Sequence, residues 1–166
     1  YTGSKINIIG DSLSKTQIAK LKSSLESQMV PRPNKSIFGL RPELLIYNIA
    51  PETKKDKGFK YWLKYKVGEK PVLLKNVDID FMRSIIDNYT ENQGYFNVSS
   101  NYQIDSINKR AEVIYNVQPK NQYKIGKVVF NNNDSYLTEA IVKTANKSLL
   151  KVGAPFNLDV IKDERI

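Results

Sequence analysis

The amino-acid sequence predicts an α+β fold whose elements follow the order strand, helix, insertion, helix, strand, strand. Two segments carry apolar residues at helical spacing, and two later segments alternate apolar and polar residues as half-buried strands do. A basic stretch over residues 31–75 separates the two helical segments. The chain has 166 residues, of which 40% are hydrophobic, so it can bury a core in one larger domain or two small ones.

The first strand and the first helix are predicted near the start of the chain. Residues 5–9 form a short strand. Ser14 begins a helix, because Gln17 three residues later completes a capping box. The buried stripe of this helix consists of Ile18, Leu21, Leu25 and Met29. Pro31 and Pro33 end it, since proline cannot continue a helix.

A second helix and a β-hairpin follow the insertion. The helix covers residues 78–93, and Gly94 is placed to cap its C-terminus. Its buried stripe consists of Met82, Ile85, Ile86 and Tyr89. Residues 95–105 and 109–117 alternate apolar and polar side chains, with a turn at residues 105–108 between them. We therefore expect two antiparallel strands, each with one buried face.

The remaining residues repeat the beginning of this order. Residues 123–130 are strand-like, and residues 137–149 are helix-like. Gly153 and Pro155 break that helix, and Asn157 can cap another one that starts at the next residue. The repeated order indicates a tandem array.

This repetition predicts two domains. The first covers residues 1–119 and contains the basic insertion at about residues 31–75. Residues 120–166 are the N-terminal part of a second, truncated domain. The junction at residues 119–122 is short, which favours a limited hinge between the two.

The composition excludes most familiar catalytic chemistry. The chain has no cysteine and no histidine, so it lacks thiolate nucleophiles, a Ser-His-Asp triad and the commonest metal ligands. The sequence carries no phosphate-binding glycine loop, dinucleotide fingerprint or nucleophile elbow. Asp78 and Asp80 lie at a helix start, where carboxylates complement the helix dipole. We expect no catalytic residue, no metal and no cofactor, and therefore a protein that is not an enzyme.

The insertion concentrates the positive charge of the chain. Lys and Arg total 26 against 17 Asp and Glu, a net charge of +9, and residues 32–75 hold eleven of the former and four of the latter. Residues 57–67 are predicted as an amphipathic helix with lysines on one side and aromatic residues on the other. The candidate basic aromatic contact surface consists of Lys57, Phe59, Lys60, Trp62 and Lys64.

Three interpretations of this surface stay open. The aromatic face packs on its own domain and the lysines are solvated, as is usual for an amphipathic helix. Alternatively, lysines and aromatic rings contact anionic lipid headgroups at a membrane surface. In the third interpretation they bind nucleic acid through phosphates and base stacking, although no RNP-type motif, GXXG loop or zinc knuckle supports it.

Several short motifs occur in a fixed order around the hairpin. Asn92-Gln-Gly94-Tyr95-Phe96 leads from the second helix into the hairpin, and Tyr123-Lys-Ile125 opens the next unit. There, Leu149-Leu-Lys-Val-Gly153-Ala-Pro155-Phe156 precedes the last helix. Their order and spacing resemble the POTRA domains of the BamA/TamA superfamily of outer-membrane proteins. The long basic insertion departs from ordinary POTRA domains, and its Phe38-Gly-Leu40 and Trp62 segments look like the first module of TamA-like lipoproteins.

The resemblance implies an architecture and a binding site. Each POTRA module has the order β-α-α-β-β, with a three-stranded mixed sheet in strand order one-three-two and two helices on one face. The strand over residues 95–105 would then lie at the edge of the sheet, where an extended client strand can join it by β-augmentation. The candidate client-strand edge consists of Asn97, Val98, Ser99, Ser100 and Asn101. Alternatively, this edge is merely solvated or is covered by the insertion.

The resemblance also implies a location and partners. Such modules form the periplasmic arm of an outer-membrane-anchored protein that assembles or translocates other proteins. Unfolded outer-membrane proteins and an accessory TamB-like subunit would be the partners, with a membrane surface as a further contact and no nucleic acid. A lipidated cysteine would precede this chain and a membrane barrel would follow it. Two alternative functions are a basic nucleic-acid-binding domain and the POTRA module of a two-partner secretion pore.

Overall fold

A mixed three-stranded sheet forms the centre of the protein. The structure is a computed structural model that describes residues 1–10, 12–129 and 145–164. The strands are β1 (Gly3–Ile8), β2 (Ser99–Ile107) and β3 (Arg110–Gln118). Their order is β1-β3-β2, with β1 parallel to β3 and β2 antiparallel to it. The predicted α+β class and strand order are confirmed, and β2 lies at one edge.

Two long helices cover one face of this sheet. The helices of the chain are α1 (Lys15–Ser27), α2 (Pro42–Ile49), α3 (Phe59–Trp62), α4 (Ile79–Asn92) and α5 (Leu158–Asp163). The Ser14 hydroxyl accepts from the Gln17 amide at 3.3 Å, and the Gln17 side chain accepts from the Ser14 amide at 3.0 Å. This capping box confirms the predicted start of α1. Asp78 caps α4 by a single hydrogen bond, which its carboxylate accepts from the Phe81 amide at 3.0 Å.

The core lies between the sheet and the two long helices. Its fully or nearly fully buried side chains are Ile6, Leu21, Leu25, Met29, Met82, Ile86, Tyr95, Val113, Tyr115 and Val117. The predicted helix stripes contribute to it, because apolar residues three and four positions apart share one helix face. The other face of the sheet is polar: Asn7 and Asn101 each form a side-chain amide hydrogen bond with Asn116, at 3.0 and 3.2 Å.

The hairpin lies later in the chain than the alternating pattern predicts. Tyr95 still belongs to the end of α4, since its amide donates to the Thr90 carbonyl and its ring enters the core. The strand therefore begins at Ser99 and continues to Ile107. Asn108 and Lys109 form the turn with φ of 50° and 62°, as in a two-residue type I′ connection.

The insertion contains one helix that the apolar periodicity does not indicate. A second helix, which the periodicity does indicate, is shorter than predicted. Helix α2 is apolar on most sides, so it lacks the polar face that marks an amphipathic helix, although Pro42 opens it as a first-turn proline does. The predicted helix over residues 57–67 begins only at Phe59. It widens to a π-helical turn over Leu63–Val67, where the Gly68 amide donates to the Leu63 carbonyl.

The described part of the second predicted unit contains one helix and a short antiparallel pairing. Helix α5 begins after Asn157, whose side chain accepts from the Asp159 amide at 2.8 Å, as predicted. The predicted strand over residues 123–130 is wrong within its described part, which has only an isolated bridge between Lys124 and Pro155. Most of the predicted helix over residues 137–149 lies outside the described residues, and its end forms a 3₁₀ turn, Ala145–Lys147.

Candidate functional site: a free sheet edge and a basic insertion

Strand β2 carries backbone groups that no other described strand pairs with. The Ile9 amide donates to the Val117 carbonyl at 2.9 Å, and the Thr2 amide donates to the Ala111 carbonyl at 2.7 Å. The odd-numbered residues of β3 therefore direct their backbone amides and carbonyls toward β1, and the even-numbered residues direct theirs toward β2, because backbone groups alternate sides along a strand.

The register of the hairpin extends this argument to β2. Asn101 lies opposite Asn116, and Gln103 lies opposite Ile114, so the odd-numbered residues of β2 bond to β3. The amides and carbonyls that point away from the sheet are those of Ser100, Tyr102, Ile104 and Ser106. An extended segment of another chain could pair with these groups.

The side chains along this edge are only partly covered. Tyr102 and Ile104 lie opposite Tyr115 and Val113, which are fully buried, so they share the helix-covered face of the sheet. They nevertheless remain 38% and 44% exposed, because α4 covers the edge strand incompletely. A client strand placed beside β2 would therefore gain apolar contacts on this face.

The predicted edge residues occupy the N-terminal end of this strand and the turn before it. Ser99, Ser100 and Asn101 are the first residues of β2. Asn97 and Val98 precede the strand, so their assignment to the edge strand is corrected. The shift has a physical reason: Gly94 and Tyr95 complete the end of α4, which delays the point at which the chain becomes extended.

Asn34 connects the two arms of the insertion beside the sheet. Its side-chain nitrogen donates to the Lys70 carbonyl at 2.8 Å, and its oxygen accepts from the Val72 amide at 2.9 Å. The residue is buried, so both ends of its amide are satisfied within the protein. The insertion thus leaves and returns to the domain at one point.

Helix α2 and the π-helical turn form the body of the insertion. The Tyr47 ring meets the Tyr65 ring edge-on at 6.1 Å, and Tyr61 lies 5.0 Å from Tyr65. A Cβ atom on Gly68 would lie 2.9 Å from the Tyr47 amide nitrogen and 2.5 Å from the Lys64 carbonyl oxygen. The absence of a side chain at this glycine is therefore what allows the two segments to approach.

Lys64 belongs to this body and not to the predicted contact surface. Only 5% of the residue is exposed, and its ammonium donates to the Ala50 carbonyl at 3.0 Å. The ammonium also lies 2.8 Å from a Glu52 carboxylate oxygen and 4.9 Å from the centre of the Tyr47 ring. The sequence-based assignment of Lys64 to a solvated basic surface is therefore corrected: the π-helical turn directs this side chain inward.

The charges around Lys64 shift the pKa values of its neighbours. Hydrogen bonds from Lys64 and Tyr65 hold the pKa of the Glu52 carboxyl below its usual value. The hydrogen bond to Glu52 raises the pKa of the Lys64 ammonium, against the effect of its desolvation. Both shifts favour the charged pair at neutral pH.

The other four residues of the predicted contact surface are exposed. Phe59 is 72% exposed and Trp62 is 51% exposed, and their rings stack on each other at 5.9 Å. Lys57 and Lys60 are solvated on the same segment. The structure therefore retains a basic aromatic surface of Lys57, Phe59, Lys60 and Trp62.

The C-terminal segment docks against the end of α4. The Gly94 carbonyl accepts from the Tyr123 amide at 2.9 Å, and the Gln93 carbonyl accepts from the Gln122 side chain at 2.8 Å. Phe96 contacts the rings of Tyr123 and Phe156, with centroids 5.2 and 4.9 Å apart. These contacts hold the segment after the predicted junction against the first domain.

The comparisons with known proteins give no identification. No family model matches the chain, and no curated protein matches it. Within the described residues, no helix has the length and hydropathy to cross a membrane, and no cluster of three or more acidic, histidine or cysteine side chains is placed to hold a metal ion.

Proposed function

We propose that the protein is a binding module that captures an extended segment of a client protein at the free edge of β2. The observation that carries this proposal is the row of outward-facing backbone groups from Ser100 to Ser106. Backbone pairing tolerates many client sequences, and the exposed side chains of Tyr102 and Ile104 add apolar contact on one face.

The cellular context of this activity is proposed from the sequence motifs. The resemblance to POTRA domains favours a periplasmic arm of an outer-membrane-anchored protein, with unfolded outer-membrane proteins as clients. The α+β fold with the edge strand β2 is compatible with such a module. The same resemblance favours an accessory TamB-like subunit as a second partner.

A proline substitution at an outward-facing position tests the capture. Ser100→Pro removes an amide that points away from β3, so we expect the sheet to persist while affinity for an unfolded barrel-derived peptide falls roughly tenfold. Fluorescence anisotropy of the labelled peptide measures the affinity, and circular dichroism checks the fold.

Two variants control this experiment. Ser100→Ala removes the hydroxyl alone and should bind the peptide as the original chain does. Asn101→Pro removes an amide that faces β3, so it should lower the melting temperature where Ser100→Pro does not. If Ser100→Pro folds normally and binds the peptide undiminished, β2 is not the capture site.

The salt dependence of binding separates this function from the nucleic-acid alternative. Affinity for a nucleic acid decreases steeply with salt, because phosphate contacts release counterions. Pairing of backbone groups involves no net charge, so peptide affinity should change little over the same range. Tight, steeply salt-dependent binding of single-stranded DNA without peptide binding would favour the nucleic-acid alternative.

A further inference from the structure

A tight hairpin in the insertion exposes an aromatic ring at its tip. Ile37 and Leu40 exchange both backbone hydrogen bonds, at 2.8 and 3.0 Å, so only Phe38 and Gly39 form the turn. Both turn residues have positive φ, 51° and 80°. Glycine adopts this conformation readily, whereas phenylalanine does so at a cost, and asparagine is the usual residue there. Phe38 is nevertheless fully exposed, at 101%.

The apolar surface continues from the tip onto α2. The exposed large side chains of this surface, here called the apolar tip, are Ile37, Phe38, Leu40, Leu45 and Ile49. Leu45 and Ile49 are one helical turn apart and share a face of α2. Five large apolar side chains from 13 consecutive residues thus lie in contact with water. Such a concentration is typical of a surface that binds a partner.

Cations adjoin the apolar tip. The groove lined by Leu40 and Leu45 also contains Arg41, Lys109 and Arg110, and none of its described lining residues is acidic. Lys109 lies in the turn between β2 and β3 and Arg110 is the first residue of β3, so two separate parts of the fold supply the positive charge.

The acidic residues of the insertion are largely engaged within it. Glu52 pairs with Lys64, Glu43 lies 3.7 Å from the Lys35 ammonium, and Glu69 accepts from the Lys35 amide. The exposed lysines of the insertion that form no ion pair with any described residue are Lys54, Lys55, Lys57, Lys60, Lys66, Lys70 and Lys75. The insertion therefore presents a surplus of positive charge to its partner.

We propose that the apolar tip docks on the surface of an anionic lipid bilayer. Its side chains are mainly aliphatic, and aliphatic groups gain free energy in the acyl region of a leaflet but do not stack on nucleic-acid bases. The adjoining cations would meet the phosphates of the headgroups. This surface is separate from the edge of β2, so the inference does not rest on the proposed function.

Replacing the tip residue tests the contact without disturbing the fold. Phe38→Asn creates the Asn-Gly pair that such turns prefer, so the hairpin should persist while the ring is lost. We expect affinity for vesicles of mixed phosphatidylglycerol and phosphatidylcholine to decrease about tenfold, as measured by co-sedimentation. Phe81→Asn is the matched control, because Phe81 is also exposed, at 59%, but lies on α4.

The charge contribution is tested separately. Lys109→Asn combined with Arg110→Gln neutralises these two neighbouring cations, and asparagine is suited to the positive φ at position 109. Affinity for the anionic vesicles should decrease by roughly twentyfold. Lys15→Gln combined with Lys20→Gln changes the net charge equally on α1 and should have a smaller effect.

A fluorescence experiment reports insertion of the tip directly. The chain has one tryptophan, so Trp62→Phe combined with Phe38→Trp places the only indole at the tip. Addition of phosphatidylglycerol vesicles should shift its emission to shorter wavelength, and pure phosphatidylcholine vesicles should do so much less. The proposal is overturned by an absent shift, by equal loss of binding in Phe38→Asn and Phe81→Asn, or by binding of single-stranded DNA in preference to both kinds of vesicle.

Discussion

At the scale of single residues, Lys64 holds three parts of the insertion together. Its ammonium contacts the Ala50 carbonyl at the end of α2, the Glu52 carboxylate after it, and the face of the Tyr47 ring. A buried ammonium is stable only when such partners replace water. Glu52 itself is solvated, so water screens its charge and weakens the ion pair. The contribution of Lys64 to stability therefore depends mainly on the partners that its buried ammonium has inside the protein.

Charge reversal at Lys64 should therefore affect folding and not binding. Lys64→Glu places a carboxylate against the Ala50 carbonyl and Glu52, so we expect a clearly lower melting temperature in thermal unfolding followed by circular dichroism. Lys60→Glu makes the same change of charge on the solvated side of the same segment and should leave the melting temperature nearly unchanged. Equal melting temperatures for the two variants would contradict the inward placement of Lys64.

At the scale of elements, the approach of α2 to the π-helical turn depends on Gly68. Gly68→Ala should lower the free energy of unfolding by about 1–3 kcal/mol, since the new methyl group meets backbone atoms that cannot rotate away. Denaturant unfolding measures the change. Gly126→Ala is the control, because its Cβ would have no described atom within 4 Å. A loss no greater in Gly68→Ala than in the control would show that the two segments can separate freely.

The elements that the sequence predicts well are those with local signals. Ser14 with Gln17, and Asp78 with its following turn, mark the starts of α1 and α4, and period-two alternation marks the hairpin. Helix α2 escapes prediction because its apolar residues surround it. The Lys64 side chain points inward because the helix widens to a π-helical turn after Trp62, and the apolar periodicity of the sequence does not indicate this widening.

The candidate site likewise has features that the sequence predicts and features that only the folded structure shows. An edge position for the first strand of the hairpin was expected, but which residues of that strand face outward depends on hydrogen bonds between strands distant in sequence. Ser99, for example, belongs to the predicted edge, but it directs its backbone groups toward Gln118 in β3. The apolar tip was missed because its side chains occur in a short run without period, and exposure is a property of the folded chain.

At the scale of the whole molecule, Gly94 joins the C-terminal segment to the first domain. It has φ of 91°, and a Cβ atom there would lie 2.8 Å from the Phe156 carbonyl oxygen. Its own carbonyl accepts from the Tyr123 amide. The same glycine thus ends α4 and lies directly against Phe156, so the placement of the segment after the junction depends on a position with no side chain.

Substitution at this position should release the C-terminal segment while the core persists. Gly94→Ala combines backbone strain of about 1–3 kcal/mol with the clash against Phe156, so we expect faster amide hydrogen exchange at Tyr123, Ile125 and Phe156. Exchange in β3 should change less. Phe156→Ala removes the ring contact with Phe96 but leaves Gly94 intact, and it should accelerate exchange in the same segment without affecting the end of α4. If exchange in the segment is unchanged in both variants, contacts other than those around Gly94 fix it to the first domain.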